Sequence, residues 1–255
     1  MKKTHYLRCD LLRGLHSLNF LIAILGSFAT MVIIAKTQVR FPTDVIYIYD
    51  GIRMTRMALL TLAFSAIPYA SCFCDDFNDR YIYVSLIRGN IKKYVWSKVL
   101  SVFFSAWLAM FIGMLIFFCV AGLRYPWVSQ DNAFSQMLIG NYSPICFLVE
   151  SAMRESLLGG VLAICAAYGS LFLKNRLFVY TFPIMMYYFV INYVEKWLQL
   201  PDWCVLYRIY GAFYEVWDKE WQDFLYAVLM TILFMFFLGC LIHRKIEREI
   251  RGGNE

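Results

Sequence analysis

Six long apolar runs divide the chain, and they constrain its fold more than any other feature of the sequence. A helix needs about 20 apolar residues to cross the hydrocarbon core of a membrane, which is about 30 Å thick. The composition is 61% hydrophobic and only 16% charged, whereas a water-soluble domain is about 45–50% apolar and about 25% charged. The sequence therefore predicts an all-α, polytopic membrane protein whose residues 1–255 form one transmembrane domain. The predicted spans are Leu18–Ala35, Met57–Phe73, Val99–Leu123, Ser156–Leu173, Leu177–Val194 and Phe224–Ile242.

The formal net charge of +6 comes from basic residues that flank the apolar runs and do not form one patch. A nucleic acid is therefore not an expected partner, whereas membrane lipid is. Most of the Lys and Arg lie on the side of the predicted membrane that holds both termini. By the positive-inside rule, both termini are expected to be cytoplasmic, although the predicted outer loop Lys36–Arg56 is also basic.

Two segments outside the spans are predicted to lie at the membrane surface. Near the N-terminus, Leu7, Leu11 and Leu15 recur every fourth residue, while charged residues such as Asp10 fall on other faces. This pattern is typical of a short amphipathic helix in the interface, and a frayed polar leader is the alternative. The outer segment Glu195–Asp223 holds four of the seven Trp, which predicts short interfacial or re-entrant helices before the sixth span.

Most intramembrane chemistry is absent from the sequence. The histidines are His5, His16 and His243, all near the predicted cytoplasmic surface, so a Ser/His dyad or a histidine metal site within the membrane is not expected. No Gly precedes a Lys, so the P-loop pattern cannot occur. The charges of Glu150–Glu155 are interpreted as a helix-surface ion pair. The chain is thus predicted to have no catalytic residue, metal or cofactor of its own, and it is not expected to be an enzyme.

A polar and aromatic stripe follows each of two spans that contain a proline. Pro68 and Pro183 each remove a backbone donor, so these two helices are the ones expected to bend. Such stripes must face protein or a cavity in lipid, which leaves two interpretations, interhelical hydrogen bonding and a translocation path for an amphipathic substrate. The candidate path residues are Thr61, Ser65 and Tyr69 on the second span, and Thr181, Met185, Tyr188 and Asn192 on the fifth.

The inner segment Asp75–Gly89 carries an apolar stripe at helical spacing. It predicts a helix of about three turns, with acidic residues at its N-terminal end, where the macrodipole favours them. Asn90 is a natural cap for the helix that continues into the third span. An amphipathic helix there could dock on a soluble partner or simply rest on the lipid surface. The candidate contact residues are Phe77, Tyr81, Val84, Ile87 and Arg88.

The arrangement Arg88-Gly89-x-x-Lys92-Lys93-Tyr94-x-x-x-Lys98, leading directly into an apolar span, resembles the loop after the second helix of ABC-2-type transporter permeases. These are the membrane subunits of bacterial type V ABC exporters, and the predicted layout of the whole chain is similar to theirs. The resemblance implies two copies of a partner ATPase that binds ATP and Mg²⁺, and a second permease copy or a sister permease. It also implies a bacterial plasma membrane and outward movement of a peptide, a lipid or a drug. The alternative is a non-transporting sensor or immunity protein that binds an amphipathic ligand.

Overall fold

The computed structural model describes residues 6–39, 43–55, 58–79, 90–129, 132–139, 143–173, 175–199, 201–211 and 220–252. This part of the chain is helical and contains no strand. Its helices are α1 (Tyr6–Leu15), α2 (Leu18–Gln38), α3 (Val45–Arg53), α4 (Leu59–Ala66), α5 (Cys72–Asn78), α6 (Ile91–Gly122), α7 (Ala133–Ile139), α8 (Pro144–Gly169), α9 (Arg176–Phe189), α10 (Glu195–Leu198), α11 (Leu206–Tyr210) and α12 (Glu220–Gly252). A π-helical turn, Val190–Val194, joins α9 to α10, and a 3₁₀ turn, Asp202–Cys204, precedes α11.

Four described helices are long and apolar enough to cross a membrane. They lie in α2, in α6, in α9 with its π-helical turn, and in α12. The prediction of an all-α membrane protein is therefore confirmed at this level. The third of the predicted spans begins earlier than expected, because α6 is one 32-residue helix from Ile91 to Gly122.

The second and fourth predicted spans do not correspond to any of these four helices. The second is interrupted, since α4 ends at Ala66, a turn contains Pro68, and α5 begins at Cys72. Proline cannot donate a backbone hydrogen bond and clashes with the preceding turn, which explains the break. The fourth, predicted over Ser156–Leu173, ends four residues beyond α8, which is buried along most of its length and carries charged residues in its first half.

The centre of the bundle is formed by α6 and α8, which pack on each other and on α2, α4, α9 and α12. Small residues allow this close approach. A Cβ added at Gly113 of α6 would lie 2.0 Å from Oγ of Ser27 and 3.0 Å from the carbonyl oxygen of Ile24 in α2, so a larger residue there would force the contact between the two helices to shift. The small residues Ser101, Ser105, Ala109 and Gly113, spaced four apart on α6, are all buried within the chain.

Polar caps begin several helices at the end of the bundle where α1 lies, which we call the α1 end. The Asn90 side chain accepts a hydrogen bond from the Lys92 backbone at 2.9 Å, which confirms the predicted cap of α6. Asn175 caps α9 in the same way at Leu177, also at 2.9 Å. The opposite end, which we call the far end, contains α3, α7, α10 and α11.

Candidate functional site

A buried lysine joins three helices at the α1 end. Lys98 lies in the third turn of α6 and is only 2% exposed. Its Nζ lies 2.9 Å from Oδ2 of Asp76, in α5, and 3.9 Å from Oδ1 of Asp10, in α1. A buried charge is tolerated only when it is paired and hydrogen-bonded. The two carboxylates therefore attach α1 and α5 to one positive charge on α6.

A tyrosine hydroxyl links the lysine to the carboxylate of Asp10. Tyr69, in the turn between α4 and α5, accepts a hydrogen bond from Lys98 Nζ at 3.3 Å and donates one to Asp10 Oδ1 at 3.0 Å. We call the group of connected polar side chains the lysine cluster. Its members are Asp10, Tyr69, Asp76, Tyr94, Ser97 and Lys98.

Two further hydroxyls complete the lysine cluster. Tyr94 donates to Asp76 Oδ2, and Ser97 donates to the second carboxylate oxygen of Asp10. The ring of Tyr94 also flanks the ammonium, with its centroid 5.4 Å from Nζ of Lys98. Each charged group in the cluster therefore has both an ionic partner and a hydroxyl partner. Such a saturated network fixes geometry.

A more exposed ion pair extends this junction to α9. Arg176 Nε lies 2.7 Å from Oδ1 of Asp75, the neighbour of Asp76 in α5. Ser71 donates to the other oxygen of Asp75 at 3.1 Å. The Arg176 side chain is 65% exposed, so this link is weaker than the lysine cluster.

The far end contains a cavity of about 310 Å³, which we call the arginine cavity. Residues of α2, α3, α4, α6, α8, α9 and α11 line it. Most of the wall is apolar, and it includes the flexible side chains of Met31, Met110 and Met114. The polar part of the wall includes Arg53 and Glu155.

Arg53, the last residue of α3, forms an ion pair with Glu155 of α8. The guanidinium also lies over the ring of Tyr49, 5.9 Å from its centroid. The side chains of Arg53 and Glu155 keep 15% and 21% of their surface accessible, and both line the arginine cavity. The pair is thus removed from bulk solvent yet open to an occupant of the cavity.

Three further charged residues, Asp50, Glu150 and Arg154, lie near the Arg53–Glu155 pair at the far end. Burial raises the pKa of the Asp50 carboxyl in α3, and the positive charge of Arg53 offsets this only in part. Arg154 is 3% exposed and donates through Nη2 to the backbone carbonyl of Ile209 in α11, at 3.1 Å. Burial likewise raises the pKa of Glu150, against the opposing effect of Arg154.

The expected helix-surface ion pair at Glu150–Glu155 is therefore wrong in two respects. Arg154 points into the bundle and holds α11, because its long side chain donates to the backbone carbonyl of Ile209 near the C-terminal end of that helix. Glu155 pairs across the bundle with Arg53. Local i, i+4 spacing could not reveal either contact.

Of the three candidate path residues of the second span, Thr61 and Ser65 are buried and Tyr69 is partly buried, and the three have different surroundings. Thr61 lines the arginine cavity. Ser65 donates to the Leu62 carbonyl at 2.7 Å, and Tyr69 belongs to the lysine cluster. The stripe therefore runs from one site to the other.

The four candidate path residues of the fifth span lie on an outer face. Thr181 donates to backbone carbonyls of its own helix and is exposed. Met185 is 57% exposed and Tyr188 is 52% exposed. Asn192, in the π-helical turn, donates to the Tyr188 carbonyl at 3.0 Å. The structure does not bring this stripe together with that of the second span, and α9 contributes Tyr187 to the arginine cavity instead.

Only one of the candidate ATPase-contact residues lies within the described part of the chain. Phe77 lies in α5 and is partly buried against the core of this chain. Helix α5 ends at Asn78, with Asp79 at its C-cap. The remaining candidates, which lie outside the described residues, are Tyr81, Val84, Ile87 and Arg88.

The sequence interpretation missed the residues that matter most at both sites. The pattern predicts Asp10 on a polar face of α1, away from the stripe of Leu7, Leu11 and Leu15, but Asp10 is 7% exposed. Leu7 is 42% exposed, and Leu11 and Leu15 are only partly buried. The only signal was the presence of Lys98 directly before an apolar run. A lysine there is usually interpreted as an interface anchor, yet this one lies inside the packed bundle.

In the described residues, no group of three His, Cys, Asp or Glu side chains is placed to hold a metal ion. Cys146 and Cys204 are free thiols. Comparisons with protein-family models, with curated proteins and with solved structures find no match to this chain.

Proposed function

We propose that this chain is the membrane-spanning permease subunit of an ATP-driven ABC exporter in a bacterial plasma membrane. It would pair with itself or a sister permease, and two separate ATPase subunits would bind ATP and Mg²⁺. The substrate would be amphipathic or hydrophobic, such as a peptide, a lipid or a drug. The permease would cross the membrane six times, with both termini and the α1 end in the cytoplasm.

The lysine cluster is the observation that carries this proposal. The expected contact with the ATPase, Asp75–Gly89, begins in α5 and leads into α6, and the lysine cluster joins these two helices through Asp76 and Lys98. Asp10 and Tyr69 add α1 and the turn after α4 to the same rigid junction. A displacement of residues 80–89 would therefore reach several helices at once, which is what ATP-driven transport requires of its membrane subunit.

Affinity purification of the chain from its native membrane tests the proposal directly. We expect a P-loop ATPase to co-purify in a ratio of one ATPase per permease, because each complex would hold two of each. ATP hydrolysis should be faster in the purified complex than in the ATPase subunit alone. Recovery of the intact chain without any ATPase would contradict the proposal.

The contact itself can be tested with paired substitutions in residues 80–89. Tyr81→Ala with Val84→Ala should release the ATPase or uncouple hydrolysis, since truncation of an aromatic anchor commonly costs about 2 kcal/mol or more of binding. Phe77→Ala is the matched control, because Phe77 packs on the core of its own chain and should affect stability more than binding. Normal co-purification and coupled hydrolysis in the double variant would favour a segment that only rests on lipid.

The predicted topology has its own test. In a variant without the eight native cysteines, single cysteines at Lys93 and Arg248 should react only after a thiol reagent can enter the cell. Cysteines at Gln130 and Lys219 should react from outside. External labelling at Lys93 would contradict the orientation of the proposed permease.

A non-transporting sensor or immunity protein is the second candidate, and the arginine cavity favours it. A cavity that opens at one end of the bundle can bind a ligand without passing it across the membrane. This function predicts ligand binding without a co-purifying ATPase. The purification experiment above therefore separates the two candidates.

A further inference from the structure

We infer that the arginine cavity is a binding site for a small, electrically neutral amphipathic molecule, with an apolar body and one hydroxyl or amide group. This inference does not rest on the proposed function, because a ligand can occupy the cavity whether or not the chain transports it. It concerns a site that opens at the far end, away from the lysine cluster.

The size of the cavity suits a small molecule. Protein interiors are close-packed, and voids larger than a water molecule are few. A volume of about 310 Å³ is at the lower end of the range for small-molecule sites. Water next to a mostly apolar wall makes few hydrogen bonds with it, so a molecule with an apolar body is favoured over water in this space.

The wall selects an apolar body. Met31, Met110 and Met114 come from two different helices, and Leu62 and Leu158 from two more. Methionine side chains are flexible and polarisable, so they adapt to ligands of different shape. The π-helical turn that follows α9 also places the cavity next to a helix distortion of a kind frequent at functional sites.

The polar part of the wall selects a neutral head group. Arg53 and Glu155 already neutralise each other, and a charged ligand would have to displace one of them and leave the other without a counter-charge. A guanidinium has five N–H donors and a carboxylate about four acceptor sites. A hydroxyl or an amide can therefore hydrogen-bond to this pair while the pair stays intact.

The same polar wall argues against a lipid acyl chain as the occupant. A hydrocarbon chain would offer no hydrogen bond to Arg53, Glu155 or Thr61, all of which line the cavity. Polar groups that face an apolar occupant lose the hydrogen bonds that water or a polar ligand would give them. A cavity wall that combines methionine side chains with one ion pair is expected to bind a ligand that has both an apolar and a polar part.

The rim of the cavity gives such a molecule access. Met54 and Thr55, directly after α3, and Ala58, directly before α4, line it. Met54 is 64% exposed. Among the described lining residues, the cavity is therefore open to the outside at Met54, next to the end of α3.

The test uses photolabelling of the purified full chain, without any ATPase, in lipid nanodiscs. The probe is decanol that carries a diazirine, and labelled fragments are identified by mass spectrometry. We expect labels on the fragments that contain Met31, Met110 and Met114. Unlabelled decanol should suppress them at about one tenth of the concentration needed for decanoate, decylamine or undecane, because one unmade hydrogen bond or displaced charge changes affinity about tenfold or more.

Cavity-filling variants localise the label. Leu158→Trp should abolish labelling inside the bundle, and Ala58→Phe at the rim should reduce it in a second, independent way. Leu25→Trp is the matched control, since Leu25 is 61% exposed on the outer face of α2, and it should leave the labelling unchanged. Each variant is first checked for monodisperse elution, so that a folding defect is not mistaken for lost binding.

Four outcomes would overturn the inference. Equal competition by undecane would indicate a lipid-chain pocket, and stronger competition by decanoate would indicate an anion site. Unchanged labelling in both Leu158→Trp and Ala58→Phe would place the probe elsewhere. No saturable labelling of the native chain would show a cavity that holds only water.

Discussion

The two ends of the bundle bury charge in opposite ways. In the lysine cluster, two carboxylates share the ammonium of Lys98, and hydroxyl groups of the same chain contact each charged member. In the arginine cavity, Arg53 pairs with Glu155, Glu155 also interacts with the hydroxyl of Tyr49, and Arg53 and Glu155 both line a space of about 310 Å³. One network is closed by protein atoms, and the other is open to an occupant.

This difference indicates what each site can do. A closed network has no room for water or ligand, so removal of one member leaves an uncompensated buried charge. It is suited to holding helices in a fixed relation. An open pair can exchange partners with whatever enters the cavity, which is suited to recognition. The same type of substitution should therefore cost much more at the α1 end than at the far end.

Replacement of the shared lysine should have the largest effect. Lys98→Met would leave Asp10 and Asp76 buried without a counter-charge, which typically costs about 3–5 kcal/mol. The free energy of unfolding in detergent micelles should fall by this amount. Lys92→Met, at an exposed position of the same helix, is the control and should change it by less than about 0.5 kcal/mol. A small effect of Lys98→Met would show that the network is not closed.

Removal of the arginine should have a smaller effect. Arg53→Met leaves the Glu155 carboxylate beside a cavity where water can solvate it, so we expect a loss of about 1–3 kcal/mol. A second substitution, Glu155→Gln, should restore most of the loss, because the unpaired charge is then gone. The measurement is the same unfolding experiment. A loss equal to that of Lys98→Met would remove the distinction between the two ends.

The helices were largely predictable because their signals are local. Apolar runs, the cap at Asn90 and the break at Pro68 each depend on neighbours a few residues away. The charged contacts were not predictable, because their partners are distant in the sequence. Ser97 and Asp10 are 87 residues apart, and no local pattern distinguishes a carboxylate that faces water from one that meets a lysine across the bundle.

The attachment of α1 offers a finer test of the closed network. Asp10→Asn keeps one oxygen for Tyr69 or Ser97 but removes the negative charge, while Asp76 still pairs with Lys98. We expect a loss of about 1 kcal/mol, close to the value of one hydrogen bond. Hydrogen exchange should rise in the amides of α1 and remain unchanged in α12. Arg8→Gln, at an exposed position of α1, should leave both unchanged, and equal exchange in the two variants would contradict the anchoring role of Asp10.

The ion pair between Asp75 and Arg176 should have the smallest effect, and it marks where the closed network ends. Arg176 is 65% exposed and Asp75 is 31% exposed, so water screens their attraction and each can be solvated when the other is removed. Exposed pairs of this kind contribute about 0–1 kcal/mol. A double-mutant cycle with Arg176→Gln and Asp75→Asn should give a coupling energy in the lower half of this range, and added salt should reduce it further. A coupling energy well above 1 kcal/mol that resists salt would mean that α9 belongs to the same rigid junction as α1, α5 and α6. In that case, the π-helical turn after α9 and the wall of the arginine cavity would be mechanically continuous with the lysine cluster, and the two ends of the bundle would no longer be independent.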